Sequence, residues 1–186
     1  MKNWGTYLAL VAALALAPVA AHAEIVKTAS PDCKTGAICL HWWPKVAVPD
    51  GWMQIRQTSE QENVNFLVPK TASDTRVFIY ANAIDHQGQS DTLDGFISDD
   101  IALFKKNNPG IAVTEEASLT TADGQTLRVF RFDPASQGRW ELAAYGQESD
   151  KDGNAYFLDF VLSGKTQALR DDNLGVYKAI IAAYRQ

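Results

Sequence analysis

The apolar residues of this chain recur at every second position over much of its length, which is the period of a β-strand that buries one face. Such runs, together with the short apolar stretch 37–43, predict strands over residues 37–43, 52–57, 63–68, 76–84, 111–119, 126–132, 139–147 and 155–162. In the run 76–84, Val77 and Ile79 stand opposite Phe78 and Tyr80. Because both faces of this strand are apolar, we expect layers packed against both sides of the sheet.

Two segments have helical spacing instead. The first begins at the capping residues 90–92, and its apolar stripe is formed by Leu93, Phe96, Ile97, Ile101 and Phe104. The acids Asp99 and Asp100 of this helix are predicted to lie on its solvated face. The second begins near Thr166, and its apolar residues are Leu169, Val176, Tyr177, Ile180, Ile181 and Tyr184.

Two Asp-Gly pairs, Asp123-Gly124 and Asp152-Gly153, separate the strands of the second half. An Asp-Gly pair between alternating apolar runs is the strongest short-range signal for a tight hairpin. The order is therefore strands, one helix, two hairpins and a last helix. It predicts the α+β class, with an antiparallel sheet packed by helices in a single α/β/α sandwich over residues 46–186.

Residues 1–23 have the pattern of a secretory signal. Lys2 precedes an apolar stretch at residues 7–17, and Ala21 and Ala23 supply the small residues of a cleavage site. The apolar stretch is shorter than the roughly twenty residues that a membrane-spanning helix needs. We therefore expect cleavage after Ala23 and a soluble mature protein in the bacterial periplasm.

The N-terminal segment 24–45 carries both cysteines of the chain, Cys33 and Cys39, and its part up to residue 37 is predicted to be loosely ordered. Two closely spaced cysteines in an exported chain predict a disulfide. A metal site formed by Cys33, Cys39 and His41 is the alternative, although the sequence shows no fourth ligand.

The net charge of the chain indicates which classes of partner it can bind. The chain has 22 acidic and 17 basic residues and a formal net charge of −5. The sequence has no long basic run of the kind that nucleic acid or an anionic membrane attracts, so we exclude nucleic-acid binding. No residue pattern requires a resident cofactor, and the sequence does not determine the oligomeric state.

The first strand of the predicted sandwich opens with Val48-Pro49-Asp50-Gly51-Trp52, and the last helix follows Ser163-Gly164-Lys165-Thr166. Together with the Asp123-Gly124 hairpin, these motifs resemble the Mog1/PsbP-like superfamily, including its small exported bacterial members, over residues 46–186. The resemblance implies an α/β/α sandwich and an accessory or adaptor protein that docks on a protein partner. It implies no set of catalytic residues.

The tryptophans near the N-terminus are the predicted partner contact, together with His41. Trp42 and Trp43 are adjacent, and consecutive residues of a strand point to opposite faces. Either both faces are covered and both indoles belong to the core, or one indole is exposed as a binding hot spot.

The residues Asp150, Asp152 and Asn154 match the start of an EF-hand calcium loop. However, Ala155 and Val161 stand where that loop needs a glycine and a bidentate glutamate. A hairpin turn is therefore favoured, and a weak ion site at these three residues is the alternative.

A catalytic base is the last candidate, because His86 adjoins Asp85 and lies shortly before Ser90. Adjacent residues of an extended chain point in opposite directions, so Asp85 does not orient His86 by adjacency alone. We therefore predict a non-enzymatic periplasmic accessory or binding protein that docks on a protein partner, for instance as an inhibitor or immunity protein. The alternatives are an envelope-directed hydrolase that uses carboxylates and His86, and a carrier of a small ligand or metal.

Overall fold

The computed structural model of the chain describes residues 25–30, 39–71, 75–86 and 92–185. The predicted signal segment 1–23 and Cys33 lie outside these residues. Export and the disulfide between Cys33 and Cys39 therefore stay predictions. Within the described ranges, no helix has the length and apolar character that crossing a bilayer requires.

The described residues form strands and helices in mixed order. In chain order these are β1 (Ile25–Ser30), β2 (Cys39–Pro44), β3 (Trp52–Gln54), α1 (Arg56–Glu62), β4 (Asn65–Pro69), β5 (Val77–Asp85), α2 (Leu93–Asn107), β6 (Ala112–Thr120), β7 (Thr126–Asp133), β8 (Trp140–Ser149), β9 (Ala155–Gly164), α3 (Gln167–Asp172) and α4 (Leu174–Ala183).

Seven of these strands form one antiparallel sheet in the order β3-β4-β5-β9-β8-β7-β6. The two predicted Asp-Gly hairpins are confirmed, since they join β6 to β7 and β8 to β9. Gly124 and Gly153 both have φ angles near +90°, at 90° and 83°, a conformation that suits glycine in such turns. The α+β class with an antiparallel sheet packed by helices is confirmed.

Helices cover both faces of the sheet, as the two-sided pattern of residues 76–84 predicts. Leu158 and Phe160 of the central strand β9 belong to a core with Tyr177 and Ile181 of α4. The residues between them in the alternation point the other way and pack with α2. This second core contains Phe96, Ile97, Phe130, Phe132, Tyr145, Phe157 and Val161.

The helix ends also follow the sequence. Thr92 caps α2, because its Oγ1 accepts a hydrogen bond from the backbone nitrogen of Gly95 at 3.1 Å. Thr166 caps α3 in the same way through Leu169. The single last helix of the prediction is divided into α3 and α4 at Asn173, whose side chain donates to the carbonyl oxygen of Leu169 at 2.8 Å.

Two predictions near the N-terminus are wrong. Residues 25–30 are not loosely ordered but form β1, which pairs antiparallel with β2. The partner strand, and not alternation within this polar segment, makes it a strand. The strand predicted over 52–57 ends at Gln54, and α1 follows, because the buried Ser59 Oγ accepts a hydrogen bond from the backbone nitrogen of Phe66 and anchors a helical turn on β4.

Replacing Gly164 by alanine tests the packing of α3 against the end of β9. A Cβ atom at Gly164 would lie 2.7 Å from the backbone nitrogen of Arg170. Because backbone atoms cannot rotate aside, we expect Gly164→Ala to lower the free energy of unfolding by about 1 to 3 kcal/mol. Gly175→Ala is the control, since a Cβ there meets nothing within 4 Å, and we expect a gain below about 1 kcal/mol. Urea unfolding measures both, and an unchanged stability of Gly164→Ala would show that this contact is absent.

Candidate functional site

Three central strands place polar side chains on the face of the sheet that α2 covers. The register sets Asn82 of β5 beside Asp159 of β9, and Asp159 beside Tyr145 of β8. Two residue pairs further along the same face, beyond Val161 and Ala143, Ser163 lies beside Glu141. Two carboxyl groups therefore occupy a face that is otherwise mainly aromatic and aliphatic.

Asp159 has the most unusual environment of these groups. The residue is only 9% exposed, and its Oδ1 atom is buried without a hydrogen-bond partner among the described residues. Burial raises the pKa of Asp159 to about 7, and the negative charge of Asp100 acts in the same direction. Its carboxyl group therefore changes its charge near neutral pH.

Asp100 approaches the same place from α2. Burial raises the pKa of Asp100, while a hydrogen bond from the Tyr145 hydroxyl to Asp100 Oδ2, at 2.5 Å, opposes the shift. The prediction that both Asp99 and Asp100 face solvent is wrong for Asp100, which is half-buried, whereas Asp99 is exposed. Asp100 lies four residues from both Phe96 and Phe104, and this spacing puts it on the apolar stripe.

Glu141 lies at the other end of this polar set. Burial raises its pKa, while a hydrogen bond from the Ser163 hydroxyl and the charge of Arg139 oppose the shift. Arg139 Nε donates to Ser163 Oγ at 2.6 Å, and its guanidinium group lies 4.3 Å from the centre of the Phe78 ring. Glu141 thus has a cationic neighbour. We call Asp100, Glu141 and Asp159 the carboxyl cluster.

An open groove of about 490 Å³ lies next to the carboxyl cluster, between α1 and the sheet. We call it the aromatic groove; it is lined by Thr58, Glu62, Val64, Phe66, Phe78, Tyr80 and Asn82. The rings of Phe66 and Phe78 have their centres 4.9 Å apart, and those of Phe78 and Tyr80 are 6.2 Å apart. Asn82 connects the two features, since it lines the groove and neighbours Asp159 in the sheet.

The groove and the cluster together have the character of a ligand site. Such sites are concave, mainly apolar and of a few hundred Å³, with a small number of polar groups that orient the ligand. Titratable groups with displaced pKa values beside a cleft point the same way. The arrangement can hold a molecule whose flat or aliphatic part lies on the rings and whose polar end reaches toward Asp159.

The structure places the tryptophans of the predicted partner contact against the body of the protein. Trp43 is buried, and Trp42 Nε1 donates to the carbonyl oxygen of Ala83 at 3.0 Å, at the end of β5. Both faces of β2 are thus covered here, which is the core-packing alternative. His41 is half-buried, and Leu40 beside it is 68% exposed.

The residues of the predicted calcium alternative form a turn that is closed by a lysine. Asp150 Oδ1 accepts hydrogen bonds from the backbone nitrogens of Asp152 and Asn154, each at 2.9 Å. Lys27 Nζ lies 2.6 Å from Asp150 Oδ2 and 3.5 Å from Asp152 Oδ2. Burial alone would raise the pKa of Asp150, but hydrogen bonds from Asn154 and Lys27 outweigh it and lower the pKa.

The ammonium group of Lys27 therefore already neutralises the carboxylates that an ion would need, which favours the hairpin turn over an ion site. Across the described ranges, no three His, Cys, Asp or Glu side chains converge as a metal site. The zinc alternative rests on Cys33, which lies outside those ranges.

His86 is not joined to a carboxylate among the described residues. Its ring stacks on Phe157, with the ring centres 3.8 Å apart, and its Nε2 atom is buried without a hydrogen-bond partner there. Ser90 lies outside the described residues. The geometry around His86 thus gives no support to the hydrolase alternative.

The sequence analysis missed Asp159 and Glu141. The signal for Asp159 is its position in the run Tyr156-Phe157-Leu158-Asp159-Phe160-Val161-Leu162. Asp159 is the single carboxylate in this run, and all the other residues of the run are apolar or aromatic. A charged residue in such a strand must be buried and is a candidate for function. Glu141 has no comparable signal, because its strand begins among polar residues.

The raised pKa of Asp159 predicts a pH-dependent stability. The pKa is about 7 in the folded chain against 3.8 for an ordinary aspartate, so the fold prefers the protonated form. The contribution to stability is therefore complete below about pH 4 and is lost as the pH rises through 7. Because Asp159→Asn cannot ionise, we expect it to gain about 2 to 4 kcal/mol relative to wild type between about pH 5 and pH 8.

Urea unfolding at several pH values measures this difference. The matched control is Asp172→Asn, which removes an exposed carboxylate from α3. Its pH profile is expected to follow that of wild type. If Asp159→Asn also followed the wild-type profile, the carboxyl group would have an ordinary pKa and the description of this site would be wrong.

Comparison with families and with curated sequences of known proteins identifies no relative of this chain. Neither the models of protein families nor the curated protein sequences give a match to the chain. The groove and the carboxyl cluster are therefore the basis of the proposed function, and the likeness to the Mog1/PsbP-like superfamily stays a prediction.

Proposed function

We propose that this protein is a non-enzymatic binding protein and that a small organic molecule occupies its aromatic groove. The observation that carries the proposal is the position of the groove beside Asp159, a buried carboxyl group with an unpaired oxygen. Of the three hypotheses from the sequence, this is the small-ligand carrier, with a site at different residues. Asp150, Asp152 and Asn154 have no part in it.

The lining of the groove supports binding without requiring chemistry. Three aromatic rings, Phe66, Phe78 and Tyr80, supply the contact area, while Thr58 and Asn82 supply groups that hydrogen-bond. The volume of about 490 Å³ falls within the range of small-molecule sites. Because the groove is open to solvent on one side, its ligand can exchange freely.

The compartment and the finer fold belong to the same proposal. The pattern of residues 1–23 supports export to the periplasm, where a soluble carrier or accessory protein would act. Helices on both faces of an antiparallel sheet are compatible with a Mog1/PsbP-like sandwich, and the motifs at residues 48–52 and 163–166 support it.

Docking on a protein partner is the second candidate, and exposed Leu40 favours it. This side chain is 68% exposed on the hairpin of β1 and β2, while Trp42 and Trp43 next to it are covered. We expect Leu40→Ser to lose partners that wild type retains in a pull-down from periplasmic extract, and Thr28→Ser, on the facing strand, to keep them. Recovery of the same proteins by all three would reject this contact.

Filling the groove tests the main proposal. Thr58 lines the groove, whereas Gln57, next to it on α1, is exposed and does not. We expect uncharged aromatic fragments, detected by ligand-observed NMR, to bind wild type and Gln57→Trp alike. Thr58→Trp places an indole in the groove and should weaken binding by about ten-fold or more.

The two tryptophan variants add the same ring to the same helix, so they separate occupation of the groove from a general effect of a new indole. Thermal unfolding checks that both remain folded. If fragments bound Thr58→Trp as well as wild type, or bound none of the three proteins, the groove would not be a ligand site.

A further inference from the structure

The groove and the carboxyl cluster have an excess of negative charge. Glu62 lines the groove, and Asp159, on which the charge of Asp100 acts, lies beside Asn82. Glu141 has Arg139 beside it, but among the described residues no ion pair joins Asp100 or Asp159 to a lysine or arginine. The end of the groove near Asp159 therefore lacks a counter-charge.

One oxygen of Asp159 lacks a hydrogen-bond donor, while hydrogen bonds from the backbone of Asn82 and of Asp159 itself oppose the rise of its pKa. The residue is about nine-tenths buried, and its Oδ1 atom has no partner in the part of the chain that the structure describes. A buried carboxylate without a partner is costly, so such a group either keeps a proton or receives a donor from elsewhere. Because Asn82 lies beside Asp159 and also lines the groove, a positive charge in the groove would act on Asp159 from the position of its sheet neighbour.

The rings of Phe66, Phe78 and Tyr80, which we call the aromatic floor of the groove, are suited to contact with a positive charge. The guanidinium group of Arg139 already lies over one of its rings, 4.3 Å from the centre of Phe78. The negative face of an aromatic ring attracts cations, and the attraction increases where water is partly excluded. Phe66 and Tyr80 extend the same floor toward Asn82, away from Arg139.

We propose that the aromatic groove takes an organic cation, an amine with an aromatic or aliphatic body, and that Asp159 balances its charge. This inference rests on the proposed function and names the chemical class of the ligand. The body of the amine lies on the rings, and its charged end lies at Asn82, the sheet neighbour of Asp159. A bare metal ion fits less well, because hard cations need several oxygen ligands and the floor supplies rings.

Proton release accompanies binding in this arrangement. On the face of the sheet that α2 covers, Asp159 has electrostatic neighbours in Asp100 of α2, Tyr80 of β5 and Tyr145 of β8, and Tyr177 of α4 lies on the opposite face. These groups add negative charge or none, and burial holds the pKa of Asp159 at about 7 in the empty site. A bound cation favours the ionised form, so the affinity for an amine rises as the pH rises toward 8.

A matched set of probes tests the inference on the full mature chain. Phenethylamine is cationic, 2-phenylethanol has nearly the same shape without charge, and 3-phenylpropionate is anionic. We expect phenethylamine to bind wild type about ten-fold more tightly than the alcohol at about pH 8, and the anion to bind most weakly. Its affinity should fall about ten-fold or more at about pH 5.5, where phenethylamine keeps its charge and Asp159 is protonated.

Asp159→Asn separates the charge from the shape of the site. We expect this variant to lose the preference for the amine and its pH dependence, while its affinity for 2-phenylethanol stays within about two-fold of wild type. The control Asp172→Asn, which removes one negative charge from an exposed position of α3, should retain both properties. Titration calorimetry or NMR shift mapping gives these affinities.

The other outcomes overturn the inference in distinguishable ways. Equal binding of amine and alcohol, with no effect of Asp159→Asn, would reject a cationic ligand while leaving the groove as a site. If calcium chloride bound wild type but not Asp159→Asn, and the amine did not bind, the ligand would be a metal ion and not an organic cation. Absence of binding by every probe, with fragments also failing at the groove, would reject the proposed function itself.

Discussion

Burial of strand β9 on both faces is the constraint on which the rest of the molecule depends. Its residues from Tyr156 to Gly164 are all buried, because β5 and β8 flank the strand and helices cover both sides of the sheet. Leu158 and Phe160 stabilise one layer, and Phe157 and Val161 the other. A polar side chain on such a strand loses its water, so the carboxyl group of Asp159 must be neutral or must find a counter-charge.

The side chains around Asp159 do not supply a counter-charge among the described residues, so a bound ligand could supply it. Asp100 and Glu141 have hydroxyl donors in Tyr145 and Ser163, and Glu141 also has Arg139. Among the three, Asp159 has a buried oxygen without a hydrogen-bond partner in the described part of the chain. The aromatic groove lies at Asn82, the sheet neighbour of Asp159, so a cation in the groove would lie close to this carboxyl group.

Features that depend on neighbouring residues in the sequence were predictable. The Asp123-Gly124 turn and the stripe of α2 follow from local rules, and the structure has both. Features that depend on partners distant in sequence were not: β1 is a strand because β2 pairs with it, and Asp100 is half-buried because α2 packs against β8. The carboxyl cluster depends on how three strands are aligned in the sheet, and no local pattern in the sequence specifies this register.

The environment of Asp159 favours the protonated form of its carboxyl group up to about pH 7. The most direct measurement is the ¹³C chemical shift of the Asp159 side-chain carboxyl carbon in the intact protein, followed by NMR over a pH titration. A midpoint of about 7 is expected. A midpoint near 4, the ordinary value for aspartate, would contradict the account.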